Sequence, residues 1–132
     1  MTGTDTSNPP EVPIDFKKNG SDLAVELTCG EAQLGTYTLR LWSPDGLTVV
    51  QKARGSFFDE EEDRFPLPSP PPVNDQRILQ CRARVWLIQG HKRYAVFMTV
   101  KQGGKTIGEA SEGDETDEAT VIVDLRARLG GS

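Results

Sequence analysis

Histidine-based catalysis would have to use His91, because it is the single histidine of the 132-residue chain. It lies in QGHKR, beside two cations and directly after a glycine, in a segment typical of a turn. A general base requires an acidic group that orients it and a pocket that holds the reacting group. A hairpin tip provides neither, and we therefore interpret His91 as a solvated turn residue.

No other pattern in the chain is typical of an active site. The sequence contains no GxSxG, no HExxH and no phosphate-binding glycine loop. Glycoside hydrolysis requires two carboxyls held across a cleft by rigid elements, whereas most acids of this chain lie in loop-like segments. The strand acids Glu26 and Asp124 have no pattern that brings them together. We predict a protein that is not an enzyme and binds no cofactor.

Two acidic segments, DEEED (59–63) and EASEGDETDE (109–118), give the chain its formal net charge of −5. Outside them bases exceed acids, so the remaining surface is basic. Carboxylates in loops are ligands that calcium accepts, and weak calcium binding is our third functional hypothesis. DEEED lacks the alternating spacing and the turn glycine of a calcium loop. Solvated acidic loops are therefore the preferred interpretation, and no metal ligand is assigned.

A set of aromatic and arginine residues on the solvent side of the predicted strands is the strongest functional signal. Its members are Trp42, Trp86, Phe97, Arg40, Arg82 and Arg84, with Ile122 and Arg126 in the same phase. Tryptophan and arginine are enriched among residues that dominate protein interfaces. We predict a protein-interaction or assembly module whose partner is another protein or a second copy. A carbohydrate platform on the same aromatics is the alternative, and a cover formed within the chain remains open. Nucleic acid is disfavoured, because the acidic segments would repel phosphates.

Alternating apolar and polar residues predict the strands that position these side chains, most clearly in LAVELTC (23–29) and TYTLRLW (36–42). The predicted strands are 23–29, 35–43, 47–54, 76–88, 93–102, 105–110 and 118–128. SPDG (43–46) and QGGK (102–105) are typical turn sequences. The expected fold is all-β, an antiparallel two-sheet sandwich of about seven strands, with a small β-barrel as the alternative.

The longest alternating run, residues 75–100, is interpreted as a hairpin that turns at Gly90-His91. This pairing would place Val85 opposite Val96, so that inward residues meet inward residues. It would also place Arg84 opposite Phe97, close enough to stack. A helix beginning at Asn74 is the competing interpretation.

The segments outside the strands complete the predicted organisation. Residues 1–20 are expected to form a disordered or loosely attached arm, and residues 21–129 a single sandwich domain. An acidic and proline-rich loop is expected at 57–75, and a frayed tail at 130–132. No apolar run approaches the ~20 residues of a membrane helix, and the first residues do not resemble a signal peptide. We therefore expect a cytoplasmic protein without membrane contact.

Cys29, Trp42 and Cys81 are spaced much as the cysteine, tryptophan and second cysteine of immunoglobulin domains. The chain resembles that family at the level of architecture only, because Leu79 replaces the family's tyrosine and Trp42 lies in the solvent phase. Both cysteines fall in the inward phase of their strands. Two alternatives remain open, a pair of buried free thiols or a Cys29–Cys81 disulfide.

Overall fold

The computed structural model describes residues 10–30, 33–57, 63–88 and 92–132. Within these ranges the chain forms nine β-strands, with a 3-10 helix (Pro71–Asn74) between the fifth and the sixth. The strands are β1 (Glu11–Phe16), β2 (Leu23–Gly30), β3 (Leu34–Trp42), β4 (Val49–Ser56), β5 (Asp63–Pro66), β6 (Ile78–Trp86), β7 (Arg93–Gln102), β8 (Lys105–Glu115) and β9 (Thr120–Gly131). No helix in this part of the chain is long and apolar enough to cross a membrane.

The strands form two sheets that pack against each other, which confirms the predicted two-sheet sandwich. One sheet has five strands in the order β1-β9-β6-β3-β4, and the other has four in the order β5-β2-β7-β8. In the described part of the chain no closed barrel is found, so the barrel alternative is wrong. The core lies between the sheets and includes the fully buried side chains of Val25, Leu41, Leu79, Val96 and Met98. Alternating residues on the outer faces meet solvent, as the period of two requires.

The predicted pairing of β6 with β7 is wrong. Both segments are strands, as predicted, and the competing helix from Asn74 is excluded. Strand β6 pairs with β3 and β9 in the five-stranded sheet, whereas β7 pairs with β2 and β8 in the other. Val85 and Val96 are both completely buried. An alternating pattern defines which side of a strand faces the core, and it does not define which strand lies beside it.

The loosely attached arm expected at residues 1–20 is wrong for residues 11–16, which form β1. This strand runs parallel to β9, with Ile14 beside Leu129. Ile14 and Phe16 are only 1% and 2% exposed, so the strand contributes to the core. Pro13 is tolerated because β1 is an edge strand, where a missing N–H costs no ladder hydrogen bond. Residues 1–9 lie outside the described ranges.

The prediction of a frayed tail at 130–132 is also wrong, because these residues form regular backbone hydrogen bonds. Strand β9 continues to Gly131, and the Ser132 amide donates a hydrogen bond to the Phe16 carbonyl at 2.9 Å. The Lys18 amide donates in turn to the Ser132 carbonyl at 3.0 Å. These bonds hold β1 and the end of β9 together.

The loop expected at 57–75 contains two regular elements. Strand β5 pairs with β2 and places Phe65 beside Val25. After it the chain packs inward, since Leu67 is 5% exposed and Asn74 is fully buried, its amide donating to the Pro68 carbonyl at 2.8 Å. The proline-rich part therefore covers the core, whereas acidic residues 59–62 lie outside the described ranges.

Both predicted turns are confirmed. The Gly46 amide donates to the Ser43 carbonyl at 2.8 Å, and Gly46 has a φ of 75°. Gly103 and Gly104 have φ values of 61° and 79° and connect β7 to β8. Two successive left-handed residues are the requirement of the primed turn that suits a twisted hairpin.

The acidic segment 109–118 is a strand over most of its length, although a loop was expected. Strand β8 continues to Glu115 and pairs with β7 along its whole length. The Thr99 hydroxyl donates to Glu109 at 3.0 Å, and Arg93 pairs with Glu115 at 3.1 Å. The register set by the hairpin turn therefore prevails over the low strand propensity of acidic residues.

The two cysteines are free, so the Cys29–Cys81 disulfide alternative is wrong. Cys29 lies near the end of β2 opposite Val96, and Cys81 lies in the middle of β6 between Leu39 and Leu125. Cys81 is completely buried, whereas Cys29 is half-buried. The thiols are packing groups of two different sheets.

We expect the folded protein to resist thiol labelling. Burial raises the pKa of Cys29 to about 11. Burial, and to a smaller extent the charge of Asp124, raises the pKa of Cys81 to about 12. Since the thiolate is the reactive form and the ordinary thiol pKa is about 8.5, Cys29 should react at pH 8 roughly two-hundredfold more slowly than in the unfolded chain. Cys81 should react only on unfolding, and a count below two thiols in denaturant would contradict the assignment.

The same shifts predict a loss of stability at alkaline pH. The folded pKa values lie above the ordinary thiol value of about 8.5, so the unfolded chain releases these protons first as the pH rises. The contribution is therefore fully present below about pH 8.5 and is lost as the pH rises toward 11 to 12. A Cys29→Ala variant should lose stability less steeply over this range in urea unfolding.

Candidate functional site

Five of the six predicted site residues share one surface, the outer face of the five-stranded sheet. Arg40 and Trp42 lie on β3, and Arg82, Arg84 and Trp86 lie on the neighbouring β6. Phe97 lies on β7 in the other sheet, on the far side of the sandwich. The predicted stack of Arg84 on Phe97 is therefore wrong, since the neighbours of Arg84 are Thr36 and Ile122.

Phe97 is positioned by small neighbours on the outer face of the four-stranded sheet. It lies between Thr28 and Ser111 in the cross-strand register. A Cβ added at Gly30 would lie 3.5 Å from the Phe97 ring, so the ring covers this glycine. The aromatic side chain therefore packs on its own sheet and does not extend the arginine surface.

The two tryptophans lie at opposite ends of the shared face. Trp42 is beside Ile78, whereas Trp86 is beside Leu34 at the other end of β3. Eight residues of strand separate these positions, which corresponds to about 26 Å. The exposed fraction of Trp86 is 37%, and Trp42 is half-buried. The two rings therefore do not form one continuous stacking platform.

Trp42 is held by a polar network that crosses three strands. Its indole N–H donates to the Gln80 side-chain oxygen at 2.8 Å, and the Gln80 amide donates to both oxygens of Asp124 at 3.1 and 3.2 Å. Arg126 donates to the same carboxylate at 3.5 Å. Gln80 is only 5% exposed, so these partners satisfy a nearly buried amide. Asp124 and Arg126 are thus engaged in holding the sheet face together.

Arg128 is likewise a structural arginine. Its guanidinium donates to both oxygens of Glu11 at 2.8 and 3.3 Å, and to the carbonyls of Pro44 and Gln76 at 3.1 and 3.0 Å. The hydrogen bonds to Glu11 raise the pKa of Arg128 above its ordinary value. This side chain joins β1, β9 and two turns, and its donors are engaged.

A group of bases on the same face has no such partners among the described residues, and we call the surface between them the basic groove. In the described ranges no carboxylate forms an ion pair with any of its five members. These members are Arg40, Lys52, Arg54, Arg82 and Arg84. The charge of this surface is therefore available to an external anion.

The register shows how the basic groove is built. Thr38 lies between Arg82 on β6 and Arg54 on β4, and Thr36 lies between Arg84 and Ser56. Strands β6 and β4 flank β3 and are therefore about 10 Å apart. The two threonines form the floor of a shallow depression of about 440 Å³, and Arg54, Arg82, Arg84 and Ile122 lie at its sides.

The described residues of the two acidic segments lie away from the basic groove, and the two segments lie away from each other. Asp63 is on β5 and Glu109–Glu115 are on β8, which are opposite edges of the four-stranded sheet. Within the described ranges no group of three or more histidine, cysteine, aspartate or glutamate residues is arranged to hold a metal ion. His91 and acidic residues 59–62 lie outside the described ranges.

No protein-family model, curated protein or solved structure matches the chain. The chemistry of the basic groove is that of hydrogen-bond donation to an anion. Guanidinium groups present several N–H donors in a planar fork, and the threonine hydroxyls add one donor each. Asp124, the nearest carboxylate on the neighbouring strand β9, is already bound by Gln80 and Arg126.

Lys52, Arg54, Thr36 and Thr38 were missed as site residues by sequence reasoning. The alternation of Lys52 and Arg54 about Ala53 was visible in the predicted strand 47–54, and the two threonines share the phase of Arg40. Their significance depends on β3 lying between β4 and β6. The sequence pattern indicates which side chains of a strand face solvent. It does not indicate which strands lie side by side in the folded sheet.

Proposed function

We propose that this protein is a non-catalytic interaction module that binds an acidic partner protein in the basic groove. The observation that carries the proposal is the cluster of five bases around Thr36 and Thr38, none of which forms an ion pair with another described residue. Clustered unpaired charge of one sign destabilises the free molecule by repulsion and attracts a complementary surface. Arginine is suited to this role because its fork binds carboxylates in a bidentate manner.

The apolar residues at one end of the basic groove support a protein partner. Leu34, Trp86 and Ile122 are 36%, 37% and 47% exposed. Leu34 and Trp86 are direct neighbours on β3 and β6, and Ile122 on β9 lies beside Arg84 in the adjacent row. Exposed aromatic and aliphatic groups beside arginines are typical of protein interfaces.

The geometry gives less support to the two other functional hypotheses. Carbohydrate binding was expected to use Trp42, Trp86 and Phe97 together, and these side chains lie far apart or on different sheets. Calcium binding would be favoured by acidic segments that meet, whereas Asp63 and β8 lie on opposite edges of one sheet. We therefore propose neither.

A charge-reversal experiment tests the proposal. The double variant Arg82→Glu, Arg84→Glu should bind poly-L-glutamate at least tenfold more weakly than the wild type at 50 mM NaCl, because two donors become repulsive. The matched control is Lys17→Glu, Lys105→Glu, which changes the net charge equally at two exposed lysines away from the groove. Titration calorimetry measures both affinities, and equal losses in the two variants would refute the proposal.

The same variants separate an external partner from a second copy of the chain. A second copy would have to present acids, and the edge strand β8 has several. Light scattering at increasing protein concentration should then show self-association that Arg82→Glu, Arg84→Glu removes. A constant monomer mass in the wild type would exclude the second copy as partner.

A further inference from the structure

We infer that the centre of the basic groove binds a phosphoryl group on an extended segment of the partner protein. This inference rests on the proposed function and specifies its ligand, a phosphorylated side chain. The geometry points to the space above Thr38, where arginines from two strands approach from opposite sides.

The convergence of donors is set by the sheet register. Arg82 and Arg54 are the two direct neighbours of Thr38, one on each side, and Arg84 is the neighbour of Thr36 in the adjacent row. The two flanking strands are about 10 Å apart, so the long side chains reach toward each other across the threonine floor. Arg54, Arg82 and Arg84 are exposed, and all three line the same depression.

The number of donors favours a phosphoryl group over a carboxylate. Three guanidinium forks and two hydroxyls surround the depression, whereas a carboxylate has only two oxygens to accept from them. A phosphorylated side chain has three strong acceptor oxygens and a charge of about −1.5 to −2 at neutral pH. The carboxylate of Asp124, beside Arg82 in the register, bonds to Gln80 and Arg126 and forms no ion pair with Arg82.

The extent of the charge favours a peptide over nucleic acid. The unpaired bases occupy β3 and its neighbours from the row of Thr36 to the row of Arg40, about 13 Å of strand. Nucleic-acid affinity depends on neutralising many successive phosphates, and at ~3.4 Å per phosphate this length spans only about four phosphates of one strand. Beyond the basic rows the face becomes apolar at Leu34 and Trp86, which suits the side chains that flank a modified residue.

Binding of degenerate peptide libraries tests the inference with the intact protein. The libraries share random flanking positions and differ only in a central phosphoserine, phosphotyrosine, serine or glutamate. At 150 mM NaCl we expect one phosphorylated library to bind at least tenfold tighter than the glutamate library. Arg82→Gln and Arg54→Gln should each weaken that binding about tenfold, the usual effect of removing a charged hydrogen-bond donor. Lys105→Gln, with thermal melts confirming that each variant is folded, should leave the affinity unchanged.

Several results would overturn the inference. Equal binding of the glutamate library would mean that the groove recognises charge alone, and the proposed function would stand without the phosphoryl specificity. If a twelve-nucleotide single-stranded DNA bound more tightly than every peptide library, nucleic acid would be identified as the partner. If inorganic phosphate bound as tightly as the phosphorylated library, the peptide would contribute nothing to binding, and the inferred peptide ligand would be wrong. No binding of any library, together with retained poly-L-glutamate binding, would refute the inference while leaving the proposed function intact.

Discussion

Replacing Phe16 by alanine is expected to lower the free energy of unfolding by about 3–5 kcal/mol. The side chain is 2% exposed and packs in the core with Ile14, although it lies in a strand near the N-terminal end of the described chain. Truncation removes most of the buried ring and leaves a cavity that the surrounding sheets fill only in part. A loss of this size is a large share of the stability of a small domain.

Urea unfolding of Phe16→Ala and Val12→Ala measures the effect with an internal comparison. Val12 belongs to the same strand but is half-buried, so its truncation should cost less than about 1.5 kcal/mol. If residues 11–16 were only loosely attached, both variants would have the same urea midpoint as the wild type. Equal midpoints for all three proteins would therefore contradict the assignment of β1.

Replacing Gly35 by alanine is expected to cost about 3 kcal/mol and to lower the melting temperature by about 10 °C. Gly35 lies inside β3, and an added Cβ would be 2.6 Å from the Arg84 carbonyl oxygen and 3.2 Å from the Phe57 ring. The oxygen belongs to the backbone of a central strand, so relief requires β3 and β6 to move apart. The floor of the basic groove would be displaced as well.

Gly30→Ala is the matched control for this substitution. Gly30 also lies in a strand, but its added Cβ would make only ordinary contacts, 3.5 Å from the Phe97 ring and 3.7 Å from the Ala95 Cβ. Alanine has less conformational freedom to lose than glycine, so we expect stability within about 0.5 kcal/mol of the wild type or slightly above it. Thermal unfolding that ranks the two variants equally would show that the close approach at Gly35 is absent.

The strands that the sequence predicts well are those in which one side faces the core and the other faces water. In β3 and β9 the buried and exposed positions follow the alternation of residue types, and both glycine turns lie at the expected places. Strand β1 carries the same signal in Val12, Ile14 and Phe16, but surrounding prolines and polar residues favour an arm. Pairing with β9 stabilises this strand beyond its local preference.

Strands β5 and β8 also differ from the sequence-based prediction, and in both cases pairing with a neighbouring strand is the cause. Strand β5 has only four residues, too few for a periodic pattern, and exists because β2 offers an edge to pair with. Strand β8 is exposed along most of its acidic half, so burial leaves no apolar pattern there. Its hairpin partner β7 provides the backbone hydrogen bonds that local composition does not indicate.

The candidate site was predictable in part. Arg40, Arg82 and Arg84 were assigned to a solvent-facing surface, and the structure brings them to one side of the sandwich. The aromatic residues were expected to join them, but Phe97 follows the connection from β6 into the other sheet. Which side chains meet on a sheet face depends on which strands are neighbours. Pairing between strands that are distant in the chain cannot be read from the local residue pattern.

The pairing of β1 with β9 has a consequence for folding during synthesis. Glu11 is beside Arg126 in the parallel register, a separation of 115 residues along the chain. At ribosomal rates of 5–20 residues per second, β1 would wait roughly 6–23 s for its partner to be made. During that interval the apolar side chains of Ile14 and Phe16 have no completed core to enter, and a nascent chain is exposed to association with chaperones or other chains. Such long-range pairing is also typical of slowly folding topologies, because the cost of closing a long loop precedes the contacts that it allows.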